Sequence, residues 1–132
     1  LVLIDDYAHH PAEIAAVNQA IREMHPGKQV LAVFQPHLFS RTKDFVDDFA
    51  ESLSLFDELM LLDIYPAREL PIEGVTSNWL LEKVENSKKK LIQIENIGEE
   101  IKRSNPEVVV LMGAGSIGEE VESVKIALQD EA

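Results

Sequence analysis

The sequence predicts an α/β fold built on a parallel sheet, and three observations carry that prediction. Short apolar runs recur along the chain, at Leu1–Ile4, Gln29–Phe34, Glu58–Asp63, Lys90–Ile94 and Val108–Met112, each of a length that suits a strand covered on both faces. Between them lie segments whose apolar residues repeat at helical spacing. Strands and helices alternate throughout, the pattern of parallel strands joined by right-handed crossovers.

Each element has its own justification. Leu1–Ile4 runs directly into Asp5-Asp6-Tyr7-Ala8-His9-His10, so polar side chains crowd the end of the first strand. Pro11 suits a first helical turn, where a missing N–H costs nothing, and Glu13 lies in the same turn, where an acid is favoured. Ile14, Val17, Ile21 and Met24 give that helix one apolar face, and His25-Pro26-Gly27 ends it. The second strand stops at Gln35-Pro36-His37; a short loop over Leu38–Thr42 leads to a helix with Phe45, Phe49 and Leu53 in register. After the third strand comes the longest irregular stretch, Ile64–Val75, with Pro66, Pro71 and Gly74; such loops are more often functional than connecting. Thr76 or Ser77 can cap a helix to about Glu85. Asn96 and Glu99 have capping-box spacing for a helix to about Ser104. Gly113-Ala114-Gly115 turns into a final helix with Ile117, Val121, Val124 and Leu128 on one face.

Composition sets the outer bounds. The 132 residues make one domain, spanning 1–132, without internal repeat or low-complexity tract. With 45% hydrophobic and 27% charged residues the chain can bury a core, and no apolar run approaches the ~20 residues of a membrane span. No signal-peptide pattern is present, so a cytoplasmic location is expected. There is no cysteine, which excludes disulfides and thiolate metal sites. A formal charge of −12 argues against non-specific binding to nucleic acid or anionic membrane. The chain starts inside an apolar run, and is expected to be a piece of a longer protein.

Parallel strands share one carboxyl edge, where open α/β sheets bind ligands. Asp5 and Asp6, His37 and Arg41, Asp63 and Tyr65, and the Gly113 turn all follow strands, and are expected to meet there. In Asp5–His10, five of six positions are polar or aromatic, which favours a site over mere loop and cap service. A carboxylate there could hold ribose hydroxyls. Metal ligation ranks low, since neighbouring positions rarely converge on one ion and no third ligand is evident. In Gln35–Thr42, Arg41 offers a planar fork for a carboxylate or phosphate near a helix start. The competing reading pairs Arg41 with one of the 24 acidic side chains. Gly113-Ala114-Gly115-Ser116-Ile117-Gly118 matches G-x-G-x-x-G, but only 14 residues follow it, all helical in pattern. The second strand and acidic residue of a dinucleotide fingerprint have no room, so these glycines read as a tight turn with close helix–sheet packing. A phosphoacceptor receiver domain is the other alternative; it would want a lysine after the fifth strand, where Gly113-Ala114 stand. No P-loop and no legible nucleophile–histidine arrangement occurs.

Taken together, Asp5-Asp6-Tyr7-Ala8-His9-His10-Pro11, Phe34-Gln35-Pro36-His37 with Ser40-Arg41-Thr42, Asp63-Ile64-Tyr65-Pro66-Ala67-Arg68-Glu69, Gly74-Val75-Thr76-Ser77 and Gly113-Ala114-Gly115-Ser116-Ile117 resemble the C-terminal domain of the Mur ligases. The second and third segments are similar to the branch that adds L-alanine to UDP-N-acetylmuramate in peptidoglycan synthesis. The resemblance implies a Rossmann-like three-layer fold with a mostly parallel sheet of about five or six strands. It implies a three-domain, ATP-dependent enzyme that forms an amide through an acyl phosphate. A central ATPase domain would supply the P-loop and Mg2+ ligands, and this domain would close over ATP and the amino acid. By that resemblance Asp6 contacts the ATP ribose and His9 lies close to the nucleotide. Tyr7, His37 and Arg41 sit toward the amino-acid and muramoyl end, with Arg41 pairing the alanine carboxylate. Asp5, His10 and the Tyr65–Arg68 loop are supporting. Leu38 stands where many relatives carry arginine, and Leu70 replaces a frequent acidic residue. No catalytic residue and no metal ligand is assigned within the chain, and alone it is expected to fold but not to catalyse.

Overall fold

The computed structural model describes residues 1–129. Its strands are β1 (Val2–Asp6), β2 (Val30–Phe34), β3 (Glu58–Leu61), β4 (Lys89–Leu91) and β5 (Val108–Met112). Its α-helices are α1 (Pro11–Met24), α2 (Phe39–Asp44), α3 (Val46–Leu53), α4 (Ser77–Lys83), α5 (Ile97–Ser104) and α6 (Val121–Gln129). The strands form one sheet in the order β1-β5-β2-β3-β4, and every pairing is parallel.

Alternation along the strands divides the core into two layers. Val30, Ala32 and Phe34 of β2, Leu59 and Leu61 of β3, and Val108, Val110 and Met112 of β5 face one side. There they pack on Ile14 and Ile21 of α1, Phe49 and Leu53 of α3, and Leu80 of α4. Leu31, Val33, Met60, Val109 and Leu111 face the other side and meet Ile97 and Ile101 of α5 and Val121 and Val124 of α6. Both faces are covered, which is why β2 and β5 are buried at every position and read as unbroken apolar runs. The result is the three-layer α/β arrangement expected from the sequence.

Several expectations need correction. β1 is an edge strand, not a strand buried on both faces: it pairs only with β5, Val2 is exposed, and Leu3 and Ile4 are half-buried. Its apolar character arises because Leu3 and Ile4 pack on opposite layers. The expected loop over Leu38–Thr42 is largely helix α2, which ends at Phe45 before α3 begins. β3 stops at Leu61, and β4 spans Lys89–Leu91, where Lys90–Ile94 was expected. The strand gives way to a 3-10 turn, Ile94–Asn96; Ile92 is buried in the α5–α6 layer and Ile94 packs partly buried against it. Asn96 makes no side-chain cap, so the expected capping box is absent. A 3-10 turn, Ser116–Glu120, precedes α6. The other caps behave as expected: Pro11 opens α1, and Thr76 Oγ1 accepts from the Trp79 amide at 3.1 Å to start α4.

Candidate functional site at the carboxyl edge

Strand register decides whether the polar strand ends meet. Asp6 lies opposite Met112, Met112 opposite Phe34, and Phe34 opposite Leu61. The last residues of β1, β5, β2 and β3 therefore form one row, and the segments after them emerge side by side. α6, which follows β5, packs on the face opposite to α1 and α3, which follow its two neighbours. Loops separate over such a reversal and leave room for a ligand.

On this edge a file of rings runs across the strand ends. Tyr7 meets His9 edge-on at 5.5 Å, His9 meets His37 edge-on at 6.0 Å, and His37 stacks on Tyr65 at 5.6 Å and 15°. His37 and Tyr65 also pair as an isolated parallel bridge. Tyr65 N donates to Pro36 O and Leu38 N donates to Tyr65 O, both at 2.8 Å, so the long loop continues the sheet past β2. Tyr7 is 71% exposed, unusual for so large a ring.

The His37 ring is partly desolvated, and its Nδ1 is buried without a partner among the described residues. Desolvation, followed by the positive charges of Arg41 and His9, holds its pKa below the ordinary histidine value. It is thus a neutral imidazole near pH 7, able to accept or donate one hydrogen bond. Arg41, in α2, makes no ion pair and donates no side-chain hydrogen bond among the described residues. In so acidic a chain that leaves an available guanidinium beside the ring file.

Asp6 accepts from the Ala8 amide at 2.9 Å through Oδ1, so one carboxylate oxygen shapes the turn and the other is open. His9 has Nδ1 3.0 Å from the Tyr7 carbonyl, which fixes the ring. Asp5 and Asp63 are exposed and make no side-chain hydrogen bond or ion pair among the described residues. His9, His10 and Glu13 bring one potential ligand atom each within 4.8 Å of one another, a third partner the sequence did not show. Glu13 Oε1 already accepts the His9 amide at 3.1 Å and the His10 amide at 3.0 Å. Those bonds, first the one from His9, lower its pKa. The trio is thus accounted for by the start of α1. Two imidazoles and one carboxylate do not fit Mg2+, which wants octahedral oxygen.

The glycine turn sits in the same row. Gly113 N donates to Asp6 O at 3.3 Å, tying β5's end to β1's. Gln35, 5% exposed, reaches across: its Nε2 donates to Ser116 Oγ at 2.9 Å and its Oε1 accepts the Ile117 amide at 3.0 Å. A Cβ on Gly115 would stand 2.5 Å from Tyr65 Cγ and 2.8 Å from Gln35 Oε1. Close packing is what this turn requires.

Gln35, Ser40, Glu69 and Ser116 organise the edge, yet no spacing in the sequence assigned them roles. The one available signal was their place inside the quoted segments. A groove of about 560 Å3 lies elsewhere, between α1 and α3, and reaches the edge at His10. Its lining joins Pro11, Ala12, Ala15, Phe45 and Leu55 to His10, Asp48, Glu51 and Ser52, whereas the edge gathers Asp6, His9, His37 and Arg41 past one row of strand ends, the pattern of a binding site.

Comparison with known proteins decides the family. The family model described as Mur ligase, glutamate ligase domain, matches residues 1–115. The chain belongs to that family. It is 70% identical over all 132 residues to a UDP-N-acetylmuramate–L-alanine ligase of Christiangramia forsetii, covering 29% of that protein. To the ligase of the same name from Flavobacterium johnsoniae it is 62% identical, over 98% of this chain and 29% of the relative. The chain thus spans under a third of the curated relatives it matches. A solved UDP-N-acetylmuramate-alanine ligase from Thermotoga maritima shares the fold at a TM-score of 0.77 and 22% identity, over 98% of this chain and 27% of that one. A domain from a putative Haemophilus ducreyi UDP-N-acetylmuramate:L-alanyl-gamma-D-glutamyl-medo-diaminopimelate ligase does so at 0.68 and 21%, over 96% and 89%. The motif resemblance therefore holds. The dinucleotide-binding and receiver alternatives find no support. Among the described residues no helix is long and apolar enough to cross a membrane.

Proposed function

We propose that this chain is the C-terminal domain of an ATP-dependent ligase that joins L-alanine to UDP-N-acetylmuramate in the cytoplasm. The observation that carries this is 70% identity, across the whole chain, to a ligase of that name. In the reaction the muramate carboxylate takes the γ-phosphoryl group of ATP and ADP leaves. The alanine amine then attacks the acyl phosphate, loses a proton and expels inorganic phosphate. Mg2+ would neutralise the phosphates from ligands on a central ATPase domain.

This domain's part is binding, orientation and exclusion of water. The open oxygen of Asp6 accepts from the ribose hydroxyls, and His9 flanks the nucleotide. Tyr7, His37 and Arg41 face the other substrates, and the Arg41 fork pairs with the alanine carboxylate. Support comes from the shared strand-end row, the ring file that links the His9 side to the His37 side, and Arg41's lack of an ion pair among the described residues. Closure of the edge over the central domain would bury Tyr7 and shield the acyl phosphate from hydrolysis.

In a full-length ligase carrying this chain, Asp6→Ala raises the KM for ATP and Arg41→Ala the KM for L-alanine, each roughly 10-fold or more. Unchanged constants in both variants would refute the assignments. The 132-residue chain alone shows no alanine-dependent ATP hydrolysis; measurable turnover would refute the division of labour.

A further inference from the structure

The long loop after β3 is pinned to the start of α2 by one carboxylate. Glu69 Oε1 accepts the Ser40 amide at 3.1 Å, and Glu69 Oε2 accepts the Ser40 hydroxyl at 2.5 Å. Both oxygens are thus committed to the residue immediately before Arg41. The same junction is closed from the other side by Leu38 N to Tyr65 O at 2.8 Å and by Thr42 Oγ1 to Leu38 O at 2.9 Å. It also concentrates backbone strain. Of the non-glycine residues with positive φ, Leu38 (74°), Ala67 (46°) and Arg68 (77°) lie in these two segments, a conformation that costs such residues free energy and persists only where surroundings impose it.

A glutamate beside an arginine ordinarily pairs with it. Here Glu69 is bound to the residue next to Arg41, and its pKa is lowered first by the Ser40 hydrogen bonds and least by the Arg41 charge, yet among the described residues the two form no ion pair. We infer that Ser40 and Glu69 are positioning residues: Ser40 holds the Glu69 carboxylate away from Arg41, so that the guanidinium stays free for a substrate carboxylate. This rests on the reading of Arg41 given above. Ser40 thereby acts as a decoy partner for an acid held at the residue next to Arg41. Without its hydroxyl, Oε2 loses its partner and is free to turn to the Arg41 guanidinium, where it would compete with the incoming carboxylate.

The test is a small set of variants in a full-length ligase carrying this chain, read as separate KM and kcat for L-alanine. Ser40→Ala is expected to raise KM roughly 5-fold, the competition of a partly exposed ion pair, with kcat within about twofold. Ser40→Thr keeps the hydroxyl and keeps the parental KM. The decisive variant is the double Ser40→Ala/Glu69→Gln. It removes the competing charge, and KM returns to within about twofold of the parent. If the pair merely ordered the loop, the double variant would be no better than Ser40→Ala, and that result overturns the inference. So does a parental KM in Ser40→Ala while Arg41→Ala raises it. A parental KM in Arg41→Ala instead brings down the Arg41 reading itself, and the inference with it.

Discussion

Gly115→Ala tests the account of the glycine turn most directly. Gly115 has φ −104° and ψ −144°, so backbone freedom is not what reserves the position for glycine; space is. An added Cβ would lie 2.5 Å from Tyr65 Cγ, 2.8 Å from Gln35 Oε1 and 2.9 Å from Tyr65 Cβ. Neither neighbour can yield cheaply. Gln35 is buried and held at both ends of its amide, by Ser116 Oγ and by the Ile117 N–H. Tyr65 is stacked on His37 and hydrogen-bonded through its backbone to both Pro36 and Leu38.

Overpacking of a fixed site costs about 1–3 kcal/mol, and displacement of Gln35 from a buried amide adds about 1 kcal/mol. The sum, roughly 2–4 kcal/mol, corresponds to a fall in Tm of roughly 10 °C for a domain of this size. Urea denaturation of the 132-residue chain with an unchanged m-value would read it as a shift in midpoint. Gly118→Ala is the internal control, because a Cβ there meets nothing within 4 Å, and stays within about 0.5 kcal/mol of the parent. Equal stability of the two variants would refute the packing account and reopen a ligand-binding reading of the motif.

Phe49→Ala removes a fully buried ring that packs at 5.8 Å on Phe34, and should cost about 3–5 kcal/mol by the same urea assay. Thr76→Ala removes the acceptor that caps α4 and should cost about 1 kcal/mol, with Thr76→Ser restoring most of it. For pH, His37 is depressed in the folded chain, so the unfolded chain binds its proton first; stability then falls as pH drops below the ordinary value of 6.5 toward the lowered one. His37→Asn should remove that slope, and an identical slope in the variant would show that another group causes it. The carboxylates of Glu13, Glu69, Glu100 and Glu107 are also depressed, so their contribution holds above the ordinary 4.5 and is lost as pH falls below it, giving a second, more acidic decline.

Legibility in the sequence followed burial. β2 and β5 were plain, because strands covered on both faces leave unbroken apolar runs. Edge strands were not: β4 keeps three residues in the ladder, opposite Leu59, Met60 and Leu61 of β3, a matter of tertiary pairing. α2 was missed because Phe39–Asp44 has little periodicity of its own; its start is fixed by Leu38 at positive φ and by contacts from a loop some thirty residues on. Convergence of Asp6, His37 and Tyr65 followed from the parallel topology alone. The Gln35 bridge and the Glu69–Ser40 contact could not, since each joins residues far apart through one side chain, and nothing in local spacing records that.

What the edge leaves unsatisfied bears on the reading of this chain as part of a larger enzyme. A free-standing domain with 24 acidic and 12 basic side chains would have little reason to keep, in and beside one ring file, a tyrosine 71% exposed and, among the described residues, an arginine without an ion pair and a buried imidazole nitrogen without a partner. Each has a local cost, and each would be removed by an ordinary substitution. Their coincidence at a place where the topology opens the sheet supports the proposal that this edge is one half of a site. In the function proposed above each of them has a use: the cation, the ring and the nitrogen would meet substrate groups. That is what closure over a second domain and its bound substrates would bring.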